Sequence, residues 1–118
     1  MARILVVDDE PDVVAFLLDE LRVAGHQAEG AGDGVAAVLK VMDGGWDAVL
    51  MDIRMPKLDG INAMRLMKRI NPSLPIITFT GQAGQGDMAQ SVRLGAITCL
   101  LKPVSTEEIT RALRTALK

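Results

Sequence analysis

Residues 46–60 read WDAVLMDIRMPKLDG, and within them Ala48, Val49, Leu50 and Met51 form an apolar run that stops on Asp52. A run this short predicts a strand buried on both faces. Pro56, Asp59 and Gly60 then impose a loop before the next helical pattern begins. Asp52 is therefore expected at the carboxyl end of a core strand, where open α/β sheets form their ligand crevice.

A single Asp at a strand end is ordinarily turn chemistry. Here the other apolar runs end in a related way. Run 4–7 ends on Asp8 and Asp9, run 76–79 on Thr80, and run 98–101 on Lys102, with Pro103 after it. If these strands are parallel, all of those side chains converge on one edge of one sheet.

The intervening segments carry helical signals. Pro11 suits the first position of a helix, because its missing N–H has no partner there in any case. Val14, Leu17, Leu18 and Leu21 mark that helix's inner face, and Gly25 ends it. Residues 27–31 read as a weak, half-polar strand suited to a sheet edge. Asp33 caps a second helix with the apolar face Val35, Val38, Leu39 and Met42, stopped by Gly44 and Gly45. After Gly60 a third helix places Ala63, Leu66, Met67 and Ile70 inward and Arg65, Lys68 and Arg69 outward, and Asn71-Pro72 closes it. The glycine-rich stretch GQAGQG, residues 81–86, has little to bury and is expected to be among the more mobile parts. A fourth helix from about Met88 to Leu94 shows Met88, Ala89 and Val92 as its apolar residues. The fifth is the best marked: Ser105 and Glu108 form a capping box, Val104 and Ile109 occupy the staple positions, and Ile109, Ala112, Leu113 and Ala116 share a side.

Strand and helix thus alternate five times without internal repeat or linker, which predicts a doubly wound parallel sheet formed by one domain over residues 1–118. Right-handed crossovers and a weak second strand at the edge favour the order 2-1-3-4-5, with strands one and three adjacent. A chain of 118 residues buries roughly 65% of its unfolded surface and needs no metal or disulfide staple to fold. The formal charge of −2 and pI near 5.3 give no general attraction to nucleic acid or to an anionic membrane. The cationic set Arg65, Lys68 and Arg69 reads as a solvated helix face. Cys99 is the one cysteine, which excludes an internal disulfide and suits a reducing compartment. Residues 1–3 run straight into a strand without a signal-peptide core, and a cytoplasmic location is expected.

Asp8, Asp9 and Asp52 brought together repel one another by about 1 to 4 kcal/mol per pair at 4 Å, depending on the effective dielectric. Positive charge must sit among them. Lys102 supplies one charge, and a hard divalent cation supplies the rest. Mg²⁺ fits, since it takes one or two carboxylates and keeps water as its remaining ligands. The absence of His and Cys beside the three Asp argues against zinc. An ionised carboxylate can act as a nucleophile toward phosphorus, and phosphoryl transfer asks chiefly for positioning and charge neutralisation. A metal, a lysine and the Thr80 hydroxyl around Asp52 meet that need.

The acidic pair Asp8-Asp9, the stretch MDIRMPKLDG around Asp52, Thr80-Gly81 and Lys102-Pro103 occur in that order at four strand ends. In this the chain resembles, over its full length, the CheY-like receiver domain of two-component response regulators. The resemblance carries part of the 2-1-3-4-5, flavodoxin-like expectation. It implies that Asp52 is the phosphorylation site, accepting a phosphoryl group from a sensor histidine kinase or a histidine phosphotransfer protein. It implies a metal site of Asp9, Asp52 and the backbone carbonyl of Arg54, with Asp8 helping through a bound water. Thr80 would turn onto the phosphoryl oxygens and Lys102 would pair with them, and the Lys102-Pro103 bond would be cis. The output surface for an attached domain or effector would be the fourth helix, fifth strand and fifth helix. On this reading the protein is a phosphorelay switch that assists its own phosphorylation and dephosphorylation and is not an enzyme in the ordinary sense.

One position departs from the family. Receivers usually carry Tyr, Phe or His three residues before the lysine, where this chain has Cys99. The expected result is phosphorylation with a weaker conformational readout, or one routed through the GQAGQG loop. Cys99 itself reads as a small buried hydrophobe. The same departure motivates a rival reading, a degenerate receiver that acts as a constitutive interaction scaffold. Arg54 and Gln82 are candidates for setting the lifetime of the phosphorylated state. A flavodoxin-like cofactor binder or an aspartate-nucleophile phosphatase is disfavoured, because no GxGxxG follows the first strand and no Asp-x-Asp surrounds a nucleophile there.

Overall fold

The structure, a computed structural model, describes residues 1–55, 57–81 and 85–118. Its elements run β1 (Arg3–Val7), α1 (Pro11–Val23), β2 (Gln27–Ala31), α2 (Gly34–Asp43), β3 (Ala48–Asp52), α3 (Gly60–Ile70), β4 (Ile76–Thr80), α4 (Gln85–Arg93), β5 (Thr98–Leu101) and α5 (Thr106–Ala116). All pairings are parallel, and the sheet order is β2-β1-β3-β4-β5, as the alternation of elements predicts.

Side-chain alternation along the central strands splits the core in two. Leu5, Val7, Val49, Met51 and Ile76 face α2 and α3 with Trp46 and Met64. Ile4, Val6, Leu50, Ile77 and Phe79 face the other way, against Leu17 and Leu21 of α1 and Ile109 and Leu113 of α5. Strands buried on both faces account for the continuous apolar runs. Asp8 and Asp52 follow Val7 and Met51, which are register partners, so the two carboxylates emerge side by side from adjacent strands.

The helix boundaries follow local chemistry. Pro11 opens α1, the Asp33 and Asp59 side chains cap α2 and α3, and Ser105 and Glu108 make the full capping box of α5. Trp46 is buried just ahead of β3, with its Nε1 donating to the Lys40 carbonyl at 2.8 Å.

Three helical faces differ from the periodicity reading. In α2, Gly34, Ala37 and Val41 are buried, while Val35, Leu39 and Met42 are exposed. This helix is apolar nearly all round, so period alone does not select a face. Close approach selects it: a Cβ on Gly34 would collide with the Leu58 carbonyl oxygen, and only the small-residue side can come so near. In α3, Met64 is buried with Ala63 and Met67, while Leu66 and Ile70, expected inward, are exposed. In α4, Ala89 and Val92 are exposed, and among the described side chains of the helix only Ser91 is buried. Its Oγ lies 3.0 Å from Thr78 Oγ1 on β4, so a hydroxyl pair does the work expected of an apolar stripe. Cys99 is half-buried, not enclosed. The reading of the GQAGQG loop, and of Gln82 within it, falls largely outside the described residues, as does Pro56. No helix among the described residues is long and apolar enough to cross a membrane.

Candidate functional site

At the carboxyl edge of the sheet, Asp8 and Asp52 are built alike. One oxygen of each accepts from the backbone N–H two residues on: Asp8 Oδ1 from Glu10 at 2.9 Å, and Asp52 Oδ1 from Arg54 at 3.0 Å. These Asx turns lock the carboxylates as the chain leaves the strands. The second oxygen of each faces the ammonium of Lys102, at 2.8 Å for Asp8 Oδ2 and 3.1 Å for Asp52 Oδ2. Glu10 Oε1 is a third partner at 3.1 Å.

Lys102 reaches the site from the end of β5. Its backbone nitrogen donates to the Thr80 carbonyl at 2.8 Å, and the Lys102-Pro103 peptide is cis. The ammonium also stands 5.4 Å from the centre of the Phe79 ring, inside cation–π range. Thr80 is fully buried at the end of β4. The structure therefore gathers Asp8, Asp52 and Lys102 in direct contact, with Asp9 beside them and Thr80 on the neighbouring strand end. Arg54 contributes a main chain hydrogen-bonded to Asp52, while its side chain turns away to Asp87 at 2.6 Å.

Two participants escaped the sequence reading. Glu10 continues the acidic pair, and that third consecutive carboxylate was its signal. Asp87 had none, because its partner lies 33 positions away in the chain.

Burial acts against the charged forms. It raises the carboxyl groups of Asp8 and Asp52 above their ordinary value, and for Asp52 the neighbouring Asp8 charge adds to that, partly offset by Lys102 and the backbone donors. Burial alone would lower Lys102, but its pairs with Asp8 and Asp52 outweigh that and hold it above the ordinary lysine range.

The residues fit a hard cation. Asp8, Asp9, Glu10 and Asp52 each offer a carboxylate oxygen, all within 4.8 Å of one another. Facing them among these residues is one ammonium, a formal excess of three negative charges. Asp8 Oδ2 is buried, and its near neighbour among the described groups is the Lys102 ammonium at 2.8 Å. An all-oxygen set of this kind suits Mg²⁺.

The electrostatics give a measurable expectation. A carboxyl raised in the folded state contributes stability fully present below its unfolded value of 3.8 and lost as pH rises through the raised value. Metal-free protein should therefore lose stability through these two groups as pH rises above about 4. Asp52→Asn removes one of them and should stabilise the metal-free protein at pH 7 by about 1 kcal/mol, with the gain shrinking toward pH 4. Urea denaturation at both pH values checks this, and a gain independent of pH would contradict it.

Comparison with known proteins points one way. Residues 4–114 match the family model described as response regulator receiver domain. The transcriptional regulatory protein ZraR of Klebsiella oxytoca is 34% identical over 114 residues, which cover 97% of this chain and 26% of that protein. A response regulator receiver domain protein from Clostridium thermocellum superposes with a TM-score of 0.95 at 28% identity, covering 99% of this chain and 94% of that one. The beryllofluoride-activated NtrC4 receiver domain dimer gives a TM-score of 0.93 at 28% identity, with 99% of this chain and 97% of that one covered. The chain spans about a quarter to a half of the length of the curated relatives it matches.

Proposed function

The chain belongs to the response regulator receiver domain family, and from that premise we propose that Asp52 is its phosphoacceptor, in a Mg²⁺-dependent reaction with a sensor histidine kinase or histidine phosphotransfer protein. The observation that carries this is the placement of the Asp52 carboxylate: buried, tied by Oδ1 to Arg54 N–H, and aimed by Oδ2 at Lys102 inside a cluster of four acidic side chains.

An Asp52 oxygen attacks phosphorus, a new P–O bond forms, and the P–N bond to the donor histidine breaks with its electron pair left on nitrogen. The product is an aspartyl phosphate. Asp8, Asp9, Asp52 and the Arg54 carbonyl would hold Mg²⁺, with Glu10 at the rim. When bound, the cation supplies charge neutralisation for the phosphoryl oxygens. Lys102 shifts from Asp52 to those oxygens, a short move because its ammonium already stands among the carboxylates. Thr80 donates its hydroxyl to the same oxygens. Nucleophile and countercharge are thus held in place before the donor arrives, which is what the transfer requires of a protein.

The phosphorylated state is read on the face formed by α4, β5 and α5. Exposed Val92, Leu94, Ile97 and Leu101 give that face apolar character suited to an effector or an attached output domain. Membership of regulators such as ZraR among the relatives supports an attached domain. The scaffold reading, which Cys99 motivates, gains no support from a site in which Asp8, Asp52 and Lys102 stand in contact.

Incubation of the purified chain with acetyl phosphate and Mg²⁺ is expected to add the mass of one phosphoryl group, mapping to the peptide containing Asp52 and disappearing when EDTA replaces Mg²⁺. No mass gain, or a gain on another residue, would overturn the proposal.

A further inference from the structure

Helix α4 is fastened to the rest of the molecule largely through polar contacts. Ser91, its one buried side chain among those described, meets Thr78 of β4. Nearer its amino end, Asp87 in the first turn receives the Arg54 guanidinium at 2.6 Å. Arg54 thus has two attachments: its backbone N–H holds Asp52 Oδ1, and its side chain holds α4. The Arg54–Asp87 pair borders a groove of about 660 Å³ that reaches from Asp9 past Arg54 to Asp87 and Gln90. Among the described residues, no side chain of α4 belongs to either half of the apolar core, so a change in one ion pair can move that end of the helix.

Building on the phosphoacceptor reading, we propose that Arg54 carries the state of Asp52 to α4: its guanidinium leaves Asp87 for a phosphoryl group on Asp52, releasing the first turn of the helix. A phosphoryl group brings close to two negative charges and three acceptor oxygens where the carboxylate had one charge. The planar guanidinium fork matches phosphoryl and carboxylate oxygens alike, so the larger charge of the phosphoryl group decides between them. The Arg54 side chain is 66% exposed in its pair with Asp87, so solvent screens that pair and it yields easily. The main chain of Arg54 is anchored at Asp52, which keeps the guanidinium within reach of either partner. The route needs no aromatic side chain at position 99.

The test is hydrogen–deuterium exchange of the α4 amides in the full chain, in Mg²⁺ with and without beryllofluoride, with occupancy read by fluorine NMR. In the unsubstituted protein, beryllofluoride is expected to accelerate exchange in the first turns of α4 about two- to fivefold, the scale of a solvent-exposed ion pair. Asp87→Asn should exchange faster by that factor at rest and show no further response. If Asp87 acted only as a favourable charge at a helix amino terminus, its replacement would raise the resting rate and leave the response intact; that outcome overturns the proposal. So does unchanged α4 exchange in unsubstituted protein with the site occupied. Absence of any bound-fluoride signal would overturn the phosphoacceptor reading itself, and this inference with it.

Discussion

Lys102→Ala is expected to destabilise the metal-free protein by about 3–5 kcal/mol at pH 7 and to slow phosphorylation of Asp52 by about a hundredfold. The Lys102 side chain is 15% exposed, and its ammonium stands within 3.1 Å of Asp8, Glu10 and Asp52. Without it the two buried carboxylates face each other with no countercharge, and their backbone donors satisfy only one oxygen apiece. Protonation or a divalent ion must then take the place of the ammonium. Stability lost at pH 7 should therefore return in part as pH falls toward 5, because a raised carboxyl group contributes stability below its titration and forfeits it above. Saturating Mg²⁺ should restore stability without restoring the rate, since the metal neutralises the carboxylates but does not replace the ammonium at the phosphoryl oxygens. Urea denaturation with and without Mg²⁺, alongside phosphorylation time courses, separates the two effects. A loss under about 1 kcal/mol would mean that the ion pairs carry little of the site's stability.

Gly60→Ala comes next in size, at about 2–3 kcal/mol, or about 8–12 °C in Tm. Gly60 opens α3, and its N–H donates to the Ile53 carbonyl at 2.7 Å, closing the loop that follows β3. A Cβ there would strike the Asp52 carbonyl oxygen and the Ile53 α-carbon. Both are backbone, so no side chain can swing aside. The loop must shift, and with it the Arg54 N–H that holds the Asp52 carboxylate. The variant should bind Mg²⁺ more weakly at 25 °C, where it remains folded, than unsubstituted protein does. Calorimetry and metal titration check the pair of effects. A Gly60→Ala variant with unaltered Tm would show that the loop has slack the close packing does not suggest.

Comparison of the helices shows how far each kind of signal reaches. α5, with its capping box and a clean stripe of Ile109, Ala112 and Leu113, was legible in both its start and its buried face. α2 was legible in its start, through Asp33, but not in its face, because apolar residues surround it and the choice depends on what Leu58 leaves room for. α4 was the least legible. Its anchor is a buried serine, and hydropathy ranks serine as surface. The carboxylates and lysine at the strand ends were legible because parallel strands place successive termini on one edge whatever the details of packing.

The amino-acid sequence by itself determined the parallel α/β architecture and the placing of Asp8, Asp9, Asp52 and Lys102 on one edge of the sheet. Both follow from short-range periodicity and from strand termini, which are local properties. Only the tertiary structure decided which side of α2 is buried, that Glu10 joins the Lys102 cluster, and that Arg54 spans from Asp52 to Asp87. Those depend on distances between segments far apart in the chain, and the excluded volume of a packed interior sets such distances without leaving a periodic trace in the residues that obey it.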